Sequence, residues 1–260
     1  MQPNHRYSSM PFMLVMAALI ILAWMALAAM NHSPYARYLD HDILHHMPLA
    51  LTGEYLAVMI MFVGAWVLMT VAMMLPSSLP LIAMFHDLTR GRSNKHQLVV
   101  LLILGYLATW AGFGVIAHVG DLFVHEAVHR FAWLSGNPWL LSAALFTGAG
   151  IFQFTSLKYK CLDACRSPYS FITQHWRGRG ERLQALTLGI HHGAYCVGCC
   201  WALMLLMFAF ASFHLAAMLA LGAVMAAEKN LPWGRKLAKP LGLTLVAAGF
   251  LVAITGASLH

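Results

Sequence analysis

Two histidines and three cysteines lie within eleven residues of this chain, in the segment HHGAYCVGCCW at positions 191–201. Residues three and four positions apart share one face of a helix. If the segment is helical, His192, Cys196, Cys199 and Cys200 therefore fall on one stripe, which Met207 continues. Thiolates and thioethers select soft ions such as Cu(I), and a mixture of cysteine and histidine also suits Zn(II). The spacing predicts a site for a soft transition metal.

Other sulfur-containing side chains occur in two further segments. Cys161 and Cys165, in KYKCLDACRSP, are one helical turn apart, and Met73 and Met74, in MMLPSSLP, are weaker candidate ligands. The prolines of the second segment predict a kink or an end of a helix. Because free cysteine also packs as a small apolar residue, a purely structural role is the alternative for each thiol. Neither cysteine spacing is a strong zinc signature, because paired Cys-x-x-Cys knuckles are absent, and the soft thiolates and thioethers favour copper over zinc.

The composition shows which elements must position these residues. Hydrophobic residues make up 60% of the chain and charged residues only 10%, which excludes an ordinary soluble domain. Seven apolar runs are close to the roughly 20 residues that cross a bilayer. They cover about 11–30, 56–75, 97–118, 138–157, 185–211, 213–227 and 240–255. We expect an all-α polytopic transmembrane helix bundle with about seven spans, in one integral membrane domain over 1–260.

The run at 213–227 is short, so six spans are also possible. The first run is longer than the hydrophobic region of a signal peptide, which is about 7–15 residues, and is expected to stay as an anchor.

The basic residues predict the orientation of the spans, because loops retained in the cytoplasm are rich in Lys and Arg. With the N-terminus in the cytoplasm, all the Lys and Arg residues except Arg37 and Arg130 lie on the cytoplasmic side. The net charge of +7 is then explained by membrane insertion, without a nucleic-acid partner. Four segments fall on this same side: the two that contain cysteines, the segment MMLPSSLP, and the EKNLP segment at 228–232. Within EKNLP we expect Glu228 and Lys229 to pair with each other.

Four blocks of the chain carry a resemblance to a known family. MMLPSSLPLIAMF, FQFTSLKYKCLDACRSP, GIHHGAYCVGCCWALM and EKNLPWG together resemble the bacterial predicted metal-binding integral membrane proteins, a family of unassigned function. The resemblance covers about 56–235. It implies a multi-pass protein of the bacterial inner membrane with a metal site built from cysteines, which here are Cys161, Cys165, Cys196, Cys199 and Cys200.

A competing pattern occurs near the end of the third span. The segment VHEAVHRF at 124–131 contains His-Glu-x-x-His, in which His125 and His129 would bind zinc and Glu126 would act as general base. A metalloprotease would need a third protein ligand. An outer cluster of acidic and histidine residues could instead complete a zinc or copper site with this pair. Its members are Asp40, His41, Asp42, His45 and His46.

The sequence therefore predicts an inner-membrane protein that binds Cu(I), or else Zn(II), at a cytoplasm-facing cluster of Cys, His and Met. Its expected role is metal transfer, insertion or transport, without catalysis. Its expected partners are the lipid bilayer and a metallochaperone or another membrane protein. The alternatives are the metalloprotease and a metal-free partner in membrane assembly.

Overall fold

A computed structural model describes residues 10–31, 53–178, 180–209 and 215–258. Within these ranges the chain is all-helical, as predicted. The helices are α1 (Met10–Asn31), α2 (Gly53–Met73), α3 (Leu75–Leu88), α4 (Lys95–Arg130), α5 (Ala132–Ser135), α6 (Trp139–Phe152), α7 (Ser156–Arg166), α8 (Pro168–His175), α9 (Glu181–Leu205), α10 (Leu215–Asn230) and α11 (Gly234–Ser258), with a 3-10 turn at Leu206–Ala209. The outer acidic and histidine cluster at 40–46 lies outside the described residues.

Four of these helices are long and apolar enough to cross a membrane, namely α1, α4, α9 with its 3-10 turn, and α11. Two bent pairs, α2 with α3 and α6 with α7, raise the number to six if each pair counts as one span. The prediction of about seven spans exceeds this count, and the six-span alternative agrees with its upper limit. The run at 213–227 accounts for the difference between seven and six, because α10, the helix that contains most of it, has only 16 residues. At 1.5 Å per residue it is about 24 Å long, which is less than the roughly 30 Å of hydrocarbon.

The two bends have local causes. Between α2 and α3 the axis turns by 70°, and a proline occupies the first turn of α3. The Ser77 hydroxyl donates to the Met74 carbonyl at 2.7 Å, which satisfies a backbone group at the break. This confirms the kink predicted from MMLPSSLP. Between α6 and α7 the turn is 64°, and Thr155 caps α7 by accepting a hydrogen bond from the Lys158 amide at 3.3 Å.

Glycines allow α4 and α9 to pack in backbone contact. A Cβ at Gly189 would overlap the carbonyl oxygen of Leu102, and a Cβ at Gly105 would overlap that of Leu186. Further along, a Cβ at Gly193 would lie 2.8 Å from that of Thr109. Residue numbers thus rise together along the contact, which means that the two helices run parallel. Small residues at such contacts permit the close approach that stabilises membrane helices. The packing turns His192 and the three cysteines of α9 into the core.

Candidate metal centre

Cys196 lies at the centre of a buried polar cluster. Its sulfur accepts a hydrogen bond from the Lys229 ammonium at 2.8 Å and lies 3.1 Å from the Tyr106 hydroxyl. The same ammonium donates to the Ser77 hydroxyl at 3.2 Å. Both Cys196 and Tyr106 are buried, and Lys229 is 5% exposed. A buried charge needs a partner of opposite sign, and the sulfur of Cys196 as a thiolate supplies it.

Three more thiols adjoin Cys196. Cys199 donates to the Cys196 carbonyl at 3.2 Å, and its sulfur lies 3.3 Å from that of Cys200. On α7, Cys165 interacts with the Cys199 thiol. All of these side chains are buried. The thiols of CLDAC and CVGCC thus come from two helices that pack against each other.

Cys161 also faces α9. A Cβ built on Gly198 would lie 2.6 Å from the Cys161 sulfur, so the sulfur fits against α9 only because residue 198 has no side chain. The five cysteines are all free thiols, and none forms a disulfide. This is the state that metal binding by thiolates requires.

His192 lies one helical turn before Cys196. Its Nε2 is 3.2 Å from the Ser78 hydroxyl, and its ring stacks on Tyr106 at 5.7 Å between centroids. Its Nδ1 is buried and has no hydrogen-bond partner. An unpartnered ring nitrogen beside a thiol cluster is a suitable ligand for copper or zinc.

A second buried charge pair lies next to the cluster, on the side that the sequence predicts to face the cytoplasm. Lys158 on α7 donates to the Glu228 carboxylate at 2.7 Å, and both side chains are fully buried. Arg166 binds the backbone carbonyls at the end of α10, including that of Glu228. The expected pairing of Glu228 with Lys229 is therefore wrong. Neighbouring residues on a helix point in different directions, so Glu228 meets α7 whereas Lys229 meets Cys196.

The methionine candidates occupy less central positions. Met73 and Met74 are buried at the break between α2 and α3, and the Met74 carbonyl accepts from Ser77, which in turn contacts Lys229. Met207 lies beyond the end of α9, in the 3-10 turn, and is only partly buried. The α-helix that carries the predicted stripe ends two residues before Met207, and a role for Met207 as a ligand stays a prediction.

The His-Glu-x-x-His segment forms the exposed end of α4. His125 and His129 face each other with their Nε2 atoms 2.9 Å apart, while Glu126 pairs with Arg130 at 2.8 Å. Across the described ranges no group of three or more His, Cys, Asp and Glu side chains is arranged to hold a metal. The third ligand of a metalloprotease is thus not found there, and the carboxylate expected to act as base is engaged by arginine.

The thiol cluster, too, holds no such group of three or more side chains within the described ranges. Cu(I) needs only two thiolate sulfurs, which it prefers on opposite sides of the ion. The Cys199 and Cys200 sulfurs are neighbours at 3.3 Å and would have to move apart to bind one ion in this way. The donor set therefore fits Cu(I), a soft ion, better than it fits a tetrahedral zinc site.

Sequence reasoning missed Lys229, Tyr106, Ser77 and Lys158 as members of this site. Each reaches the cluster through a contact between helices that are distant in sequence, which periodicity alone does not reveal. One signal was present in EKNLP, because a lysine and a glutamate at the end of an apolar run require buried partners or water.

The helices and the buried thiols are those of a membrane protein equipped with ligands for a soft metal ion. A family model described as a copper chaperone, PpoB2, matches residues 63–252. Because the match covers most of the chain, the protein belongs to the PpoB2 copper chaperone family, and copper is the metal that it handles. Comparisons with curated proteins and with solved structures give no match.

Proposed function

We propose that this protein binds Cu(I) at the thiols of Cys165, Cys196, Cys199 and Cys200 and passes the ion to a copper-receiving partner. Cys161 and His192 are the adjoining ligands to which the ion can move. The observation that carries the proposal is the close packing of these thiols around a buried lysine, in a chain that belongs to a copper chaperone family. The proposed location is the bacterial inner membrane, with the cluster facing the cytoplasm.

Charge balance explains how a buried site can accept and release a cation. Without metal, the Cys196 thiolate and the Lys229 ammonium form a neutral pair. Two thiolates that hold Cu(I) carry one net negative charge, which the same ammonium compensates. The site stays neutral in both states, so neither binding nor release of the metal leaves an unpaired charge buried in the protein. The second thiol loses its proton on binding.

A transfer role agrees with membership of a copper chaperone family. Thiolate ligands exchange one at a time, so an incoming donor can replace one sulfur while another still holds the ion. The five clustered thiols offer several intermediate ligand sets. The partner would present its own soft ligands, either on a soluble metallochaperone or on another membrane protein.

The test is copper content by mass spectrometry on anaerobically purified protein in detergent. Wild type is expected to hold about one copper per chain, and the Cys196→Ser/Cys199→Ser/Cys200→Ser variant to hold none. Ala185→Ser, a buried change on α9 about three turns away, is the matched control and should keep the metal. Equal copper in the triple variant and in wild type, with both proteins folded, would refute the assignment of these thiols.

A further inference from the structure

An open cleft of about 250 Å³ lies beside the thiol cluster, where α7, α8 and α9 meet. Polar side chains line most of it, among them Asp163, Gln174, His175 and Tyr195. Phe171, which is buried, also lines the cleft. The cleft therefore reaches from the surface of the protein to a buried side chain.

His175 lines this cleft, and a second histidine, His191, lies beside it. The rings of His175 on α8 and His191 on α9 are 4.9 Å apart between centroids. His175 Nδ1 lies 2.9 Å from the Phe171 carbonyl oxygen. A carbonyl only accepts, so Nδ1 carries the proton and the lone pair of Nε2 is left for a ligand. Metal-binding histidines are commonly oriented in this way, by a carbonyl on the other ring nitrogen.

Phe171 links the outer histidines with the inner one. Its ring stacks on His175 at 4.5 Å and meets the edge of His192 at 5.5 Å. His191 is exposed whereas His192 is buried, because successive helical residues point about 100° apart. Cys196 follows His192 by one turn. Imidazoles and thiols thus follow one another from the cleft to the buried cluster, with the Phe171 ring between the outer and the inner histidine.

We propose that His175 and His191 form an entry site that captures Cu(I) at the cleft and passes it inward past Phe171 to the thiols. The inference rests on the proposed function, since it names how the ion reaches that site. Copper remains Cu(I) throughout. On transfer to the thiols each new Cu–S bond replaces one Cu–N bond: Cys196 binds as the thiolate that it already is, and the proton of the second thiol passes to a released imidazole.

The experiment measures loading with Cu(I) supplied as its bicinchoninate complex, whose colour falls as the metal leaves. His175→Gln/His191→Gln is expected to load at least tenfold more slowly than wild type and to reach the same final copper content. His96→Gln, an exposed histidine at the start of α4 and outside the cleft, is the matched control and should load at the wild-type rate. Loading of the double variant at the wild-type rate would overturn the entry site.

X-ray absorption at the copper edge separates the two proposals. When Cu(I) is added back to the purified Cys196→Ser/Cys199→Ser/Cys200→Ser variant, it should bind weakly with nitrogen ligands, and this binding should be lost when both histidines are also replaced. Nitrogen-bound copper that persists after both replacements, or no nitrogen-bound copper in the triple variant, would overturn the entry site alone. Absence of sulfur-bound copper in wild type would instead refute the proposed function, whatever the histidines bind.

Discussion

Lys229 places a positive charge against sulfur where water is largely excluded. Its ammonium contacts Cys196 and Ser77, and the Tyr106 hydroxyl meets the same sulfur from α4. Lysine is rare in such places because an unpaired charge in an apolar interior is costly. In the proposed mechanism it balances the negative charge of a copper-bound thiolate pair.

Replacing Lys229 with glutamine removes its charge without adding a soft ligand for Cu(I). The copper-bound thiolate pair then lacks its counter-charge, so the dissociation constant for Cu(I) should rise at least tenfold, or about 1.4 kcal/mol. A competition titration against a Cu(I) chelator measures it. Lys236→Gln, at an exposed position nearby, should leave the affinity unchanged. Equal affinities in wild type and Lys229→Gln would show that charge balance at this position does not matter.

Helix packing determines which parts of the site were predictable. The period of the α-helix placed His192, Cys196, Cys199 and Cys200 on one face, and all four are buried on α9. Met207 lies two residues beyond the end of the α-helix at Leu205, in the 3-10 turn, and is only partly buried. Periodicity assigns a face to each residue, but it does not say which helix that face meets. For this reason the contacts of α9 with Lys229 and Tyr106 could not be predicted.

The close packing of α4 against α9 can be tested by adding a single methyl group at Gly189. Gly189→Ala would press a Cβ against the backbone carbonyl of Leu102, and overpacking of this kind costs about 1–3 kcal/mol. The thermal midpoint in detergent should fall by several degrees. Gly112→Ala on α4, where a Cβ meets nothing within 4 Å, should leave the midpoint unchanged or raise it, since alanine favours helix. A midpoint for Gly189→Ala equal to that of Gly112→Ala would contradict the backbone contact.

At the scale of the whole molecule, α10 and α11 form a hairpin whose tip reaches the thiol cluster. α4 and α9 run in the same direction, and α11 runs antiparallel to α6, with Gly242 at Gln153 and Gly256 at Trp139. α9 begins near Asn94, which donates to Glu181 at 3.1 Å. After the far end of α9, α10 brings the chain back to the level of Cys196. The short α10 is therefore either a seventh crossing or one arm of a re-entrant hairpin.

The basic residues favour a tip on the same side as the loop before α4. Arg235 and Lys236 are exposed at the tip, and Arg235 pairs with Asp163 of the cleft at 3.3 Å. Single cysteines can test this with a membrane-impermeant maleimide, because the five native cysteines are buried. Trp233→Cys at the tip should label from the same side as Gly91→Cys, and Asn137→Cys from the opposite side. Labelling of Trp233→Cys from the same side as Asn137→Cys would contradict a crossing by α10 and the charge rule.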